Sequence, residues 1–433
     1  MILDSDSIPV YLHFGHVPTV GWAMPTIGHP RSVEPVDTAR LIHEGMDILR
    51  RAFRETIAQT SPGQTHVLPL SGGLDSRAIL GGLLENLESR QIQAVTFGSP
   101  GTWDFEIGQQ VARAAGVRSA TIDLSSREWT WDTAELVRTA RQTERPIGVF
   151  DTYVNRQVPE RFGATNVYWS GFMGDPLSGS HLLRQDSTTW DQAQRRFAEH
   201  NRFSRSIVLT PPGFDSQQAL PPSPVCSVPV RASKETPYGV TTNAGGLCYD
   251  EQLDFAIRQQ CLIRHIVLPQ GYGYRTPFLH PQWASFILSV PRRCRQGQYL
   301  YKEILKAAYP RLFSLPAKNN LGLPLEVSLW RKQARILSLG VRGLARRIAP
   351  SLCYCLSPGL NYIDFDRSIR RRRDLRAVIG ENIRDLKKRG IIDWLDVEDI
   401  ERRHQRGRGN HADALMLLTS LEINLKAQEE AVP

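Results

Sequence analysis

The sequence predicts an α/β protein: a doubly wound parallel sheet followed by a mostly helical C-terminal region. Three observations carry this expectation. Between residues 66 and 170 short apolar runs alternate with segments of helical period, and after residue 245 the helical period takes over. A glycine-rich turn at 71–73 separates the first apolar run from the helix that follows, the place where parallel sheets gather ligands.

Taken in order, residues 1–35 read as loop and short strand, interrupted by Pro9, Pro18, Pro25, Pro30 and Pro35. A helix is predicted over 37–59, with Ile42, Met46, Ile48, Leu49 and Phe53 near helical spacing. Residues 66–70 form a short strand. Pro69 would cost an interior strand one ladder bond, but it lies beside the strand's end. A helix over 77–87, a strand over 92–98, a helix over 104–116 ended by Gly116 and a strand over 119–124 come next. A helix over 129–144 and a strand over 165–170 complete the alternation, which argues for a parallel sheet covered on both faces. Residues 181–240 are polar and proline-rich and read as an excursion or lid. A loop is expected near 315–325 and a closing helix over 413–427.

With 41 % hydrophobic and 22 % charged residues among 433, the chain is an ordinary globular one and not a disordered one. No run approaches the roughly 20 apolar residues that span a bilayer, and the first residues lack a basic segment followed by an apolar one. A cytoplasmic protein is expected. Cys226, Cys248, Cys261, Cys294, Cys353 and Cys355 are scattered and read as free thiols in a reducing compartment. The net charge of +9 is concentrated between 331 and 376, in Arg331, Lys332, Arg335, Arg342, Arg346, Arg347, Arg367, Arg370, Arg371, Arg372, Arg373 and Arg376. Aromatic residues are not interleaved with them as nucleic-acid stacking requires, so the stretch reads as a solvated helical face.

The informative segment is HVLPLSGGLDSR, residues 66–77. Gly72 and Gly73 allow positive φ and close approach of a ligand. The freed amides and the helix N-terminus then face an anion, with the hydroxyls of Ser71 and Ser76 beside them. Asp75 is a poor direct partner for phosphate and a good one for Mg²⁺ bridging to phosphate oxygens. The lysine of a Walker A loop is missing. Asp104 reads as a helix N-cap, and neither His13 with His16 nor His404 with His411 reads as a metal site.

SGGLDS resembles the pyrophosphate loop of the N-type ATP pyrophosphatases, and LSGGLDSR resembles the synthetase domain of the asparagine synthetase family. Further segments are similar in the same order: TFGSPGTWD (96–104), WSGFMGDPLSG (169–179), YRTPFLHPQW (274–283), the lysine-bearing stretch 299–325 and the closing helices 401–425. The likeness covers roughly 60–425 and extends to β-lactam synthetase and lasso peptide cyclases. It implies an adenine nucleotide alpha hydrolase-like core at 61–180, after an N-terminal extension and leading helix (1–60). An excursion or lid (181–245) and the helical C-terminal part of the domain (246–433) follow.

The resemblance implies an ATP-dependent ligase with ATP and Mg²⁺ as cofactors. It would adenylate a small-molecule or peptide carboxylate, release pyrophosphate, and pass the acyl group to an amine or ammonia with release of AMP. Ser71, Gly72, Gly73, Asp75 and Ser76 would cradle pyrophosphate, Asp75 and Asp175 would hold magnesium, and Lys318 would be a positive donor to the developing charge. Phe97, Ser170 and Gly171 would line the nucleotide pocket. On the residues alone Asp175 can equally be a turn residue, Lys318 an exposed loop lysine and Phe97 plain core.

Two departures shape the expectation. Ile2 stands where glutamine-dependent members carry a nucleophilic cysteine, so the nitrogen source would be free ammonia, a substrate amine or a separate glutaminase. Phe172 stands where asparagine synthetase has glutamate and β-lactam synthetase tyrosine, and it can neither accept nor donate a proton. Aspartate is therefore not the expected substrate, and a specialised peptide, sugar-acid or natural-product pathway is. The competing readings are a tRNA-modifying adenylating enzyme and a degenerate nucleotide-binding protein.

Overall fold

Residues 2–19, 37–223, 247–348 and 358–430 are described in the computed structural model, together with two-residue strands within 224–246. The strands are β1 (His66–Pro69), β2 (Ile92–Gly98), β3 (Arg118–Asp123), β4 (Val167–Trp169), β5 (Pro229–Val230), β6 (Val240–Thr241) and β7 (Gly273–Arg275). Five of them form one parallel sheet in the order β3-β2-β1-β4-β7, while β5 and β6 pair antiparallel by themselves. The chain therefore winds outward from β1 through β2 to β3, returns, and winds the other way through β4 to β7. The reversal lies between β1 and β4, and the carboxyl ends of these neighbours open a crevice there.

Alternation along the strands explains why both faces are covered. Val67 and Leu68, Val95 and Ala94, and Tyr168 and Trp169 point to opposite sides and belong to two separate cores. The Leu68 side packs against the helices Thr38–Ile57, Asp75–Asn86, Pro281–Ser289 and Tyr299–Ala308. The Val67 side packs against Thr133–Arg141, Val149–Phe162, Arg373–Arg389 and Ala412–Glu429. The helical C-terminal region thus supplies cover to both faces of the sheet. Pro69 closes β1, opposite Val95, and the ladder resumes with the Leu70 amide donating to the Val95 carbonyl at 2.8 Å.

Several local expectations are corrected. The first residues are not loop and strand but contain a helix, Ser7–Phe14, in which Pro9 occupies the first turn, where its missing N–H costs nothing. Helix 129–144 shrinks to Thr133–Arg141, because Asp132 caps it by accepting the Glu135 amide. The helix Val149–Phe162 was not anticipated. The excursion contains the helix Trp190–His200, capped by Thr189. Residues 273–275, in the part read as helical, are the edge strand of the sheet.

The basic stretch is helical, but not uniformly solvated. The helix Leu329–Ile348 exposes Leu329, Trp330, Ile336, Leu337 and Val341 beside its cations. Arg372, by contrast, is tucked in, donating to the Leu124 and Trp129 carbonyls and to Asp374. Among the described cysteines Cys248, Cys261 and Cys294 are free, and Cys226, Cys353 and Cys355 lie outside the described residues. No described helix is long and apolar enough to cross a membrane.

One buried cation joins the sheet to the C-terminal segment. Arg77, wholly buried, donates to the carbonyls of Leu312 (3.1 Å), Leu315 (3.1 Å) and Pro316 (2.6 Å). Burial lowers its pKa to about 10. Arg77→Met leaves those three carbonyls without their donor and is expected to destabilise the protein by about 3 kcal/mol or more. A lower urea midpoint read by tryptophan fluorescence checks this.

Candidate active site

The crevice at the carboxyl ends of β1 and β4 is a cavity of about 710 Å³. Its walls include Ser71, Gly73, Asp75, Ser76, Phe97, Ser170, Gly171, Asp175 and Lys318, so the strands and loops bring nearly all the sequence-predicted residues to one place. Gly72 is buried and does not line it.

Leaving β1, the chain turns through Ser71–Leu74 into the helix Asp75–Asn86. The turn is knitted by its own hydroxyls: the Ser71 amide donates to Ser76 Oγ (3.2 Å), the two serine hydroxyls meet at 3.2 Å, and the Gly73 amide donates to Ser71 Oγ (3.2 Å). Two details differ from expectation. Neither Gly72 nor Gly73 is among the glycines of positive φ. Gly72 is required by crowding instead, since a Cβ there would sit 2.9 Å from the Trp103 carbonyl oxygen and 3.3 Å from Lys318 Cβ. Its amide donates to Asp104 Oδ1 at 3.2 Å. Asp104 is not the helix N-cap; Thr102 is.

Asp104 works across the crevice. Its Oδ2 takes the Lys318 ammonium at 2.5 Å, Lys318 Nζ also reaches Asn361 Oδ1 at 2.5 Å, and the Lys318 amide donates to the Gly72 carbonyl at 2.9 Å. Lys318 is thus held at the turn by main chain and side chain together, and it is not a free loop lysine.

Leaving β4, the chain passes Ser170, Gly171, Phe172 and Met173 into a short helix that begins at Gly174. Asp75 lies against this turn. A Cβ on Gly174 would fall 2.4 Å from Asp75 Oδ2, and one on Gly171 would fall 2.8 Å from Asp75 Cβ. The two glycines are there to let the two turns touch. Asp75 accepts the Tyr301 hydroxyl at 2.8 Å, and Asp175 accepts Gln298 Nε2 at 2.8 Å. Burial, and then the neighbouring Asp175 carboxylate, push the Asp75 pKa well up. Two neighbouring carboxylates lining one cavity offer a hard-oxygen donor set suited to a small divalent cation.

Phe97 is neither free in the cavity nor plain core. Its ring stacks on Tyr362, 5.5 Å between centroids and 21° apart in plane. Tyr362 comes from the segment after residue 357, which is anchored by the Trp103 amide on the Pro358 carbonyl (2.7 Å) and Ser99 Oγ on the Tyr362 carbonyl (2.9 Å). Phe172 is buried, lines the cavity, and offers no proton-transfer group.

Sequence reasoning missed Asp104, Gln298, Tyr301, Asn361 and Tyr362. Among the described residues four non-glycine residues take positive φ: Met173, Gln298, Leu321 and Tyr362. Met173 and Tyr362 line the cavity, Gln298 holds Asp175, and Leu321 follows the Lys318 turn. Backbone strain gathers at functional sites and at the turns that support them.

The raised Asp75 pKa has a stability consequence. The folded protein keeps a proton that the unfolded chain releases above about pH 4, so stability falls as pH rises from there through the folded-state pKa. In EDTA, Asp75→Asn should lose less melting temperature than the wild type between pH 5 and pH 7.5. Magnesium ion should restore the wild type at pH 7.5 and leave Asp75→Asn unchanged. Differential scanning calorimetry reads both.

Residues 49–318, more than half of the chain, match the family model described as asparagine synthase. No curated protein matches the chain.

Proposed function

The chain belongs to the asparagine synthase family and is an ATP-dependent amide ligase of that type; within that class, we propose that it adenylates a carboxylate and transfers the acyl group to an amine or ammonia, releasing AMP and pyrophosphate. The observation that carries the reading is the packing of Asp75, beside the Ser71–Ser76 turn, against the Gly171–Asp175 turn, whose Asp175 amide donates to it, with Lys318 held to the first turn through Asp104.

Each residue then has work to do. The hydroxyls of Ser71 and Ser76 and the Gly73 amide bind the β- and γ-phosphates. Asp75 and Asp175 would hold Mg²⁺, which on binding neutralises charge on the departing pyrophosphate. Lys318 hands its ammonium from Asp104 to the phosphate that is building charge, an electrostatic role worth about 3–4 kcal/mol. The stacked Phe97 and Tyr362 and the Ser170–Gly171 backbone wall the nucleotide side. Phe172, Met173, Ile263 and Val267 also line the cavity, an apolar set that suits an acid with an apolar body and not a small dicarboxylic amino acid.

A screen with Mg²⁺–ATP and pools of carboxylates (amino acids, uronic acids, acidic peptides), with and without ammonia, tests the chemistry. AMP and pyrophosphate are the expected products; ADP and phosphate would exclude it. Asp75→Ala should abolish turnover, and Lys318→Ala should lower it about 10²–10³-fold, both measured by pyrophosphate release.

A further inference from the structure

Replacement of the expected glutamate or tyrosine by Phe172 leaves the attacking amine without a proton acceptor at that position, yet the cavity has another one. His181 lines the same cavity as Asp75, Phe172 and Lys318. Its Nδ1 lies 2.9 Å from Asp254 Oδ2. An ionised carboxylate can only accept, so Nδ1 carries the hydrogen, and in the neutral ring Nε2 holds the free lone pair. Among the described residues Nε2 has no protein partner.

Asp254 is itself held by its own helix. It opens a π-helix, Asp254–Ile263, and receives Gln259 Nε2 (3.4 and 3.3 Å to its two oxygens), with the Arg258 guanidinium 3.9 Å away. The wider winding places Gln259 five residues on against the residue that begins the helix, and Arg258, Gln259 and Ile263 all face the cavity. A cavity histidine fixed through one ring nitrogen by a carboxylate, with the other nitrogen unengaged, is the arrangement that orients a base for proton transfer.

We propose that His181, oriented by Asp254, is the general base of amide formation in this protein. The proposal rests on the ligase reading above. As the neutral amine attacks the acyl-adenylate, the C–N bond forms and the carbonyl π pair moves onto oxygen. The nitrogen's proton passes to His181 Nε2. The electron pair then returns, the C–O bond to AMP breaks, and AMP leaves with that pair; the imidazolium gives its proton to solvent. Nothing in this step requires a proton-transfer group at Phe172.

The test separates the two half-reactions. With the carboxylate that scores in the screen above, ATP–pyrophosphate exchange reports adenylation and amide formed from ammonium ion reports transfer. His181→Gln should leave exchange within about twofold and lower amide formation about a hundredfold to a thousandfold. Hydroxylamine, a stronger nucleophile whose less basic nitrogen gives up its proton to water readily, should still capture the acyl group as hydroxamate in that variant.

Proton-coupled nitrogen NMR of histidine-labelled full-length protein gives a readout without substrate. The His181 signal, assigned by its loss in His181→Gln, should show a protonated Nδ1 and a bare Nε2, and should change in Asp254→Asn. An Nε2–H tautomer overturns the assignment, as does unaltered ammonium transfer in His181→Gln with exchange intact; both leave the ligase reading standing. No exchange by the wild type with any acid overturns the ligase reading, and the base assignment with it.

Discussion

The constraint on which the site depends is the placement of Arg77. A guanidinium taken wholly out of water must find hydrogen-bond acceptors or destabilise the fold by several kcal/mol. Among the described residues it pairs with no carboxylate; its two terminal nitrogens donate to three main-chain carbonyls between Leu312 and Pro316. Those carbonyls belong to the approach to Lys318, and Arg77 belongs to the first turn of the helix after the Ser71–Leu74 bend. One side chain therefore fixes the distance between the two segments that face each other across the cavity. The Lys318 amide on the Gly72 carbonyl and the Gly72 amide on Asp104 then close a ring of contacts around the bend.

Opposed to this stabilising link is a destabilising one. Asp75 is pressed by Gly171 and Gly174 into a setting where neither burial nor the adjacent Asp175 favours its charge. A fold selected for stability alone would place an apolar residue or an amide there. The Tyr301 hydroxyl and the Asp175 amide offset part of the cost by hydrogen bonding to the carboxylate. The remainder is what a divalent cation would repay on binding, so affinity for the ion and instability of the ion-free protein have one physical origin. The positive φ of Met173 and Gln298, on either side of Asp175, belongs to the same account.

How much of this could be read in the sequence follows from how local each signal is. β1, the bend and its helix were legible because apolar run, glycines and acid fall within twelve consecutive residues, as was the alternation that covers both sheet faces. The three-residue strand β7 was not, because three residues carry no periodicity and its pairing with β4 crosses more than a hundred residues. Asp104 was misread because an acid near a helix start has a local explanation; its partners, Gly72 and Lys318, come from other elements. Tyr301, Gln298 and Tyr362 gave no signal at all. They act through long-range contacts, and only the left-handed backbone of the last two marks them out, a property invisible in residue type.

The same logic bears on the cavity's proton chemistry. A glutamate or tyrosine in place of Phe172 would be fixed by the turn after β4, the rigid end of a central strand. His181 lies on the loop beyond the next short helix, and a loop side chain needs an external brace to hold a reactive geometry. Asp254 is such a brace, and it comes from a helix wound wide enough that Gln259 and Arg258 both steady its carboxylate. With the acceptor placed on His181 as proposed, that position is free for an aromatic ring. Phe172 then joins the core beneath the sheet while still facing the cavity. The trade gives an apolar wall where a small dipolar acid would need polar partners. Substrate preference and placement of the base are in this view one substitution seen from two sides.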